Sequence, residues 1–259
     1  MIDKKCCFKP YGTLYMAELP ADCPVPNNLS QYGLMDVGNV TEVTRNLSFN
    51  ELTIPNLQTP AFGNACEFKT LDAETINIVF SCVKTENLRI ALGGTKTPHT
   101  GAVQTDEEHT IPANPGCFFV PTNFLIDTSE TVTVTGASGT PTFVAGTDYF
   151  VKSSGIVLTE NTTIDDEVIE ITYTSQDQTK IDPSDLKGKE YILHFDGNNA
   201  VDGSALAFTF YRVKFDPAET LPLLSEEFLT LAVEGEALIS QCFFDTAGNG
   251  LRSTFDITD

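Results

Sequence analysis

From Val40 the chain settles into a two-residue rhythm. Val43, Arg45, Leu47 and Phe49 fall on one face and Thr44, Asn46 and Ser48 on the other, the pattern of a half-buried strand. "NELTIPN" continues as extended chain, and Pro55 marks an edge position or the strand's end. "NLQTPAFGNA", 56–65, reads as loop from its Asn, Pro and Gly content. "TINIVFSCVKTENLRIALGG", 75–94, then alternates again, with Ile76, Ile78, Phe80 and Cys82 on one side and Thr75, Asn77, Val79 and Ser81 on the other. After Lys84 the period changes. Thr85 is a candidate cap for a first-turn N–H, Leu88, Ala91 and Leu92 form an i, i+3, i+4 stripe, and Gly93 supplies a left-handed stop. A strand thus feeds a short helix able to pack back on a sheet.

Outside this unit the pattern is again β-rich. Residues 1–35 are punctuated by Pro10, Pro20, Pro24 and Pro26 and hold one apolar stretch, "TLYMAEL"; they read as an N-terminal arm lying on a surface. Residues 95–115 read as a long polar loop. From 116 to 175 short runs rich in Thr, Val, Tyr and Ile alternate with turns at Gly136, Gly139, Gly146 and Gly155, the signature of a small sandwich-like sheet. "KEYILHF" and "SALAFTFYRVKF" are strands joined by "DGNNAVDG". That loop is a hairpin turn rather than a calcium loop, because Val201 and Ala207 stand where the calcium motif needs Gly and Glu. A last strand, "FLTLAVEGEAL", sends Leu229, Leu231 and Val233 inward.

The chain has 259 residues, 41% of them hydrophobic, enough for one large β domain or two small ones. Its formal charge of −21 lacks the clustered Lys and Arg that grip phosphates. The start, "MIDKKCCFKP", has no apolar core of a signal peptide, and no run reaches membrane-spanning length. Seven cysteines without a CxxC pattern are therefore expected to be reduced thiols, not a zinc site or a disulfide framework, and the Asn-X-Ser/Thr triplets carry no meaning in a chain that is not secreted. The histidines are His99, His109 and His194, and no HExxH, GxSxG or phosphate-loop motif occurs. No catalytic, metal-ligating or cofactor-binding residues are predicted, and no cofactor. The lack of tryptophan weighs against a sugar-binding cleft.

Three stretches share a further likeness. "TINIVFSCVKTENLRIALGG", "GTDYFVKSSGIVL" (146–158) and "YRVKFDPAETLPLLSEEFLTLAVEGEAL" (211–238) resemble, in order and spacing, the tail tube (major tail) proteins of long-tailed bacteriophages. The resemblance spans residues 35–245 and leaves the first 30 residues without a counterpart. It implies a β-sandwich or barrel with one short flanking α-helix, built from 36–110 and 182–259, carrying an inserted small β region at 111–181 on the tube exterior, with 1–35 as the arm. It also implies a structural virion protein, not an enzyme. Six copies would form a ring, rings would stack into the tube through which DNA leaves the capsid, and neighbours' inner sheets would join into a continuous barrel. Expected partners are the chain itself, the tape measure, tail terminator and distal tail proteins, and DNA that passes without specific binding; no membrane is involved. The place would be the virion tail, assembled in the host bacterial cytoplasm.

Acidity then acquires a use. Wall carboxylates keep phosphates off the surface, while screening confines the field to about 8 Å at physiological salt. Glu42, Glu51, Glu234 and Glu236 flank alternating apolar strands and are the lumen-facing candidates; Leu88, Ala91 and Leu92 are the candidates for helix packing or a subunit interface. Two other readings compete: a monomeric β-sandwich binding module of a virion, for a receptor or a carbohydrate, and a hydrolase with a carboxylate pair.

Overall fold

The structure is a computed structural model and describes residues 8–20, 22–23, 26–55, 64–183 and 189–258. Its first elements are β1 (Pro10–Leu19), β2 (Met35–Asp36), β3 (Val40–Pro55), β4 (Asn64–Phe80), α1 (Thr85–Leu92), β5 (Thr95–His99) and β6 (Val103–Thr110). There follow β7 (Phe119–Pro121), β8 (Thr133–Gly136), β9 (Tyr149–Lys152), β10 (Gly155–Leu158), β11 (Val168–Thr174) and β12 (Gln178–Asp182). The last four are β13 (Glu190–Asn199), β14 (Ala205–Phe215), β15 (Leu231–Ala237) and β16 (Ser253–Ile257). The fold is mainly β, with α1 the one α-helix among the described residues. The chain divides into two units, 1–95 with 181–259, and 96–180.

The first unit is built on one antiparallel sheet in the order β2-β1-β13-β14-β15-β4-β3. β14 gives one edge to β13 and divides the other, with residues 213–215 pairing β15 and 206–210 pairing β16. One face holds the main core, in which Ile76, Ile78, Phe80, Leu193, Phe210, Val213 and Leu231 are almost wholly buried. On β4 and β15 the two-residue period decides which residues go in; on β14 an irregularity in the pairing with β13 puts Phe210 and Val213, three positions apart, into the same core. The other face holds a second, smaller core of Leu19, Ile192, Tyr211, Cys242 and Phe243.

Several expectations are corrected here. "TLYMAEL" is no surface arm: β1 pairs with β13 from Pro10 to Leu19 and buries Leu14, Met16, Ala17 and Leu19. Pro10 begins this strand and Pro20 follows its last residue, so neither interrupts its buried half. Gly12 faces Gly197 in that pairing, and a side chain at Gly12 would collide with the carbonyl of Asp196. Nor are all the thiols reduced. Cys23 and Cys242, 219 positions apart, form a disulfide over the second core, with Cα atoms 5.3 Å apart. Asn27 reinforces it: its N–H donates to the Cys242 carbonyl, and its side-chain oxygen accepts from the Phe244 N–H. Cys66, Cys82 and Cys117 are free; Cys6 and Cys7 lie outside the described residues, as does most of the 56–65 loop.

The second unit begins at Lys96 and not at 111. The 95–115 stretch holds two strands, because β6 pairs with β11 from Val103 to Thr110. Its alternation is invisible by residue type, since both faces of "VQTDEEHT" are polar. Two three-stranded sheets, β7-β10-β9 and β6-β11-β8, contribute to one core that includes Val120, Ile126, Val134, Ile156, Ile169 and Tyr173. The Asp-Tyr pair of this region is structural. Tyr149 is buried with its hydroxyl donating to the Val132 carbonyl at 3.0 Å. Burial alone pushes the Asp148 carboxyl up, but hydrogen bonds from Val144 N and from Thr163 N and Oγ1 outweigh it and hold the group below its ordinary value.

Candidate functional site

The feature that departs most from an ordinary globular surface is the hairpin of β3 and β4. β15 pairs with β4 only between Thr75 and Phe80. From Leu47 and Glu74 outward, the two strands pair only with each other, and the strand from 47 to 55, at about 3.4 Å a residue, makes a ribbon some 30 Å long. Residues opposite one another share a face, so the register assigns every side chain. The face continuous with the main core carries Val43 and Ile78, then Arg45 and Ile76, Leu47 and Glu74, Phe49 and Leu71, Glu51 and Lys69. The other face carries Thr44 and Asn77, Asn46 and Thr75, Ser48 and Ala73, then Leu52 with Phe68 and Ile54 with Cys66.

Apolar side chains are thus bare on both sides. Phe49 is 56% exposed on the first face, and Leu52 and Phe68 are 69% and 65% exposed on the second. A two-stranded ribbon of this kind is marginal by itself. The outer edge of β3 has no partner strand among the described residues, and an open apolar edge is a template for another chain. The base of the ribbon is tied down by charge: the fully buried Glu74 accepts from Arg45 Nε at 2.5 Å and from Ser253 Oγ at 3.2 Å, and Arg45 sits over the Phe255 ring.

Three of the four predicted acids come together. Glu42 lies in the row of Val79 and Ala232, Glu234 in the row of Asn77 and Thr44, and Glu236 in the row of Thr75 and Asn46. All three are exposed on the side of the β3–β4–β15 sheet that faces away from the core. Its other residues there are mostly Thr, Asn and Ser, and no Lys or Arg of these three strands points that way. Asp216 and Glu219 join Glu234 and Asn77 around a 480 Å³ recess at one side of this face. Lys214 of β14, opposite Glu236, marks where the acidic surface ends. Glu51 is the exception: it sits near the ribbon tip on the opposite face, 3.4 Å from Lys69 Nζ. Glu42 falls on the acidic side by simple alternation with Thr44 and Asn46, and the bulge between Val40 and Glu42 turns Val40 toward the main core.

The helix packs on β15 with a face rotated from the one expected. Asn87, Arg89, Ile90 and Ala91 are buried, whereas Leu88 is only partly so and Leu92 does not join the core. The cap is Lys84 and not Thr85, with no side-chain bond to the first turn; Gly93 does take the left-handed conformation, φ 66°. Polar side chains set this rotation. Asn87 Nδ2 donates to the carbonyls of Val37 and Cys82, and Arg89 donates to Glu86 and, at 2.6 Å, to the Tyr191 hydroxyl. Burial pushes the Tyr191 phenol up to about 12, the nearby Arg89 charge offsetting only part of that. A stripe rule that counts only apolar residues passes over Asn87 and Arg89, and with them Ile90.

The histidines have ordinary partners. His99 stacks on Phe124 with centroids 3.8 Å apart and meets Ser175 Oγ, His109 meets Glu107, and His194 Nδ1 meets Thr209 Oγ1. Among the described residues, no three His, Cys, Asp or Glu side chains converge as metal ligands, and no helix is long and apolar enough to cross a membrane.

Residues 10–246 match the family described as protein of unknown function UCP028589. The chain belongs to this family. A search of curated proteins gives no match. The match begins with β1 and ends within the Cys242 turn, so the family spans both units and includes the strand that the proline pattern had disguised.

Proposed function

We propose that this member of the UCP028589 family is a self-assembling structural subunit whose copies close into rings and stack into a tube, the tail tube of a long-tailed phage. One observation carries the reading: a ribbon about 30 Å long stands clear of the sheet with large apolar side chains bare on both faces and, among the described residues, both strand edges open. A monomer gains nothing from such a surface and risks uncontrolled pairing through it. Sister copies on each side cover both faces, and a head-to-tail contact that closes on itself ends the pairing. The acidic, cation-free side of β3, β4 and β15 fits the wall of a conduit for DNA, because a basic wall would gain counterion-release binding at each contact and slow transit.

Negative-stain microscopy of the purified chain across a concentration series tests this. Rings or tubes are the expected result; a monodisperse monomer at all concentrations overturns it. One observation favours the binding-module reading for residues 96–180 alone. Phe119, Val157 and Phe150 form one cross-strand row, with both phenylalanines about half exposed, on a unit with its own core. Deleting 96–180 separates the two: assembly survives and a surface-binding activity disappears if that unit is the binder.

A further inference from the structure

The second core of the first unit lies under a cover made of two pieces. One is the turn between β15 and β16, which is bound to the sheet. Leu238 N–H donates to the Arg212 carbonyl, Tyr211 N–H to the Arg252 carbonyl and Arg212 Nη1 to the Ile239 carbonyl. The turn also closes on itself, with Leu251 N–H donating to the Phe243 carbonyl and the N–H groups of Cys242 and Phe243 donating to Ser240 Oγ. The other piece is the link between β1 and β2, described at residues 20, 22–23 and 26–34. Among these residues it adds no strand to any sheet. Its regular element is a single 3-10 turn, Leu29–Tyr32, capped from within the link by Asn28.

The link is hooked to the turn at two places. One is the Cys23–Cys242 bond. The other is Asn27, whose N–H donates to the Cys242 carbonyl at 3.0 Å and whose side-chain oxygen accepts from Phe244 N–H at 2.6 Å. Both hooks fall on residues 242–244. Underneath, Ile192 and Phe243 are almost wholly buried, and the Tyr32 ring lies over Phe243 with centroids 5.4 Å apart. The sheet does not need the link, because β1, β13 and β14 are held by their ladders and by the main core on the opposite face. The link does need the bond. Without it, the link rests on the Asn27 hydrogen bonds and on side chains that keep part of their surface in water, namely Leu29, Tyr32 and Leu34. A segment with few buried apolar contacts and few backbone bonds opens without the rest of its domain. The two sulfurs also differ in access, since Cys23 is half-buried and Cys242 is 3% exposed. Thiol–disulfide exchange begins at the sulfur that a thiolate can reach.

We infer that Cys23 and Cys242 form a redox latch. With the bond closed, the β1–β2 link is clamped over the second core; with it open, the link lifts while the strands stay paired. A dithiol opens the latch in two exchanges. Its thiolate attacks Cys23 Sγ, the S–S bond breaks, and Cys242 leaves as a thiolate that takes up a proton. The second thiolate of the reagent then displaces Cys23 as a thiol, and the reagent closes to a cyclic disulfide, having passed two electrons to the protein. A small-molecule disulfide such as oxidised glutathione runs the exchange backwards and is itself reduced to two thiols. The reduced thiols expected from the sequence and the bond found in the fold are then two states of one pair, set by the surrounding thiol–disulfide balance. The latch involves no second copy and does not depend on the assembly reading.

The test follows amide hydrogen exchange in the full chain with and without dithiothreitol, with iodoacetamide trapping to report the state of the two thiols by mass. Dithiothreitol without denaturant is expected to make both cysteines alkylatable and to speed exchange at the Asn27 and Phe244 amides at least tenfold. In the same reduced chain the amides of β13 and β14 stay roughly a hundredfold slower than those two. Removing the reductant and adding oxidised glutathione restores the original pattern. Cys23→Ser, which leaves the buried Cys242 side chain in place, gives the fast exchange with no reductant present. Unchanged protection at Asn27 and Phe244, in the reduced chain or in Cys23→Ser, overturns the latch, because the link then stays down by its own packing. Equal loss of protection in β13 and β14 also overturns it, by making the bond a staple of the whole unit. So does a bond that dithiothreitol reaches only in denaturant.

Discussion

Replacing Leu52 and Phe68 by serine tests the ribbon most directly. The two face each other across the β3–β4 register, 69% and 65% exposed. Full burial of a Leu or Phe side chain stabilises by about 1.5–3 kcal/mol, and about two-thirds of each remains to be covered, so the pair contributes roughly 2–4 kcal/mol per contact formed. At about 1.4 kcal/mol per decade, the double variant weakens self-association roughly 30-fold to several hundred-fold. The isolated subunit hardly notices, since neither side chain is packed: the expected loss in folding stability is below about 1 kcal/mol. Sedimentation velocity over a concentration series reads the first quantity and a circular dichroism melt the second. Phe49→Ser with Leu71→Ser, on the opposite face, is expected to weaken a second contact independently, so that the quadruple variant loses the sum of the two free energies. Wild-type assembly midpoints in both double variants would sink the claim that the ribbon is an interface. Loss from one face only would reduce it to a one-sided contact.

The remaining predictions concern the disulfide, the buried phenols and the acidic face. Cys242→Ser opens a closure spanning 219 positions; chain entropy sets the cost at about 5 kcal/mol, or roughly 10–20 °C in the melting of the first unit, and a calorimetric transition of residues 96–180 unmoved by the change serves as its control. Tyr173 and Tyr191 have phenols pushed up to about 12, in both cases first by burial. Raised folded-state values mean that their contribution is fully present below pH 10 and is lost between pH 10 and 12, as the unfolded chain ionises first; urea titrations across that window should show stability falling, and Tyr191→Phe should flatten the fall. Tyr191→Phe also removes the hydroxyl that accepts from buried Arg89 and costs about 1.5–3 kcal/mol at neutral pH. Glu42, Glu234 and Glu236 changed together to lysine should permit assembly while slowing DNA ejection from the particle, and unchanged ejection kinetics would remove the charge argument.

On β4 and β15, where the apolar face is buried, the order of residues sufficed to assign it. The inward set Ile76, Ile78, Phe80, Leu231 and Val233 and the stop at Gly93 follow from the period of two or from a single backbone requirement, whereas the half-buried face expected from Val40 onward is not found, since Leu47 and Phe49 stand exposed on the β3–β4 ribbon. Period and backbone requirement both depend on neighbours a few positions apart, which the chain carries with it in any fold. Glu42, Glu234 and Glu236 were legible as exposed acids for the same reason. That Glu51 falls on the other face of β3 from Glu42 was already in the alternation; that Glu42, Glu234 and Glu236 share one surface depended on the β3–β4–β15 register. Tertiary structure alone decided the rest. It brought Cys23 to Cys242, gave "TLYMAEL" a partner in β13, turned α1 by way of Asn87 and Arg89, and left Leu52, Phe68 and Phe228 without cover. The physical reason is common to all of these. Whether a thiol, an amide or an apolar ring is satisfied depends on which distant segment stands opposite it, and local periodicity carries no information about that segment.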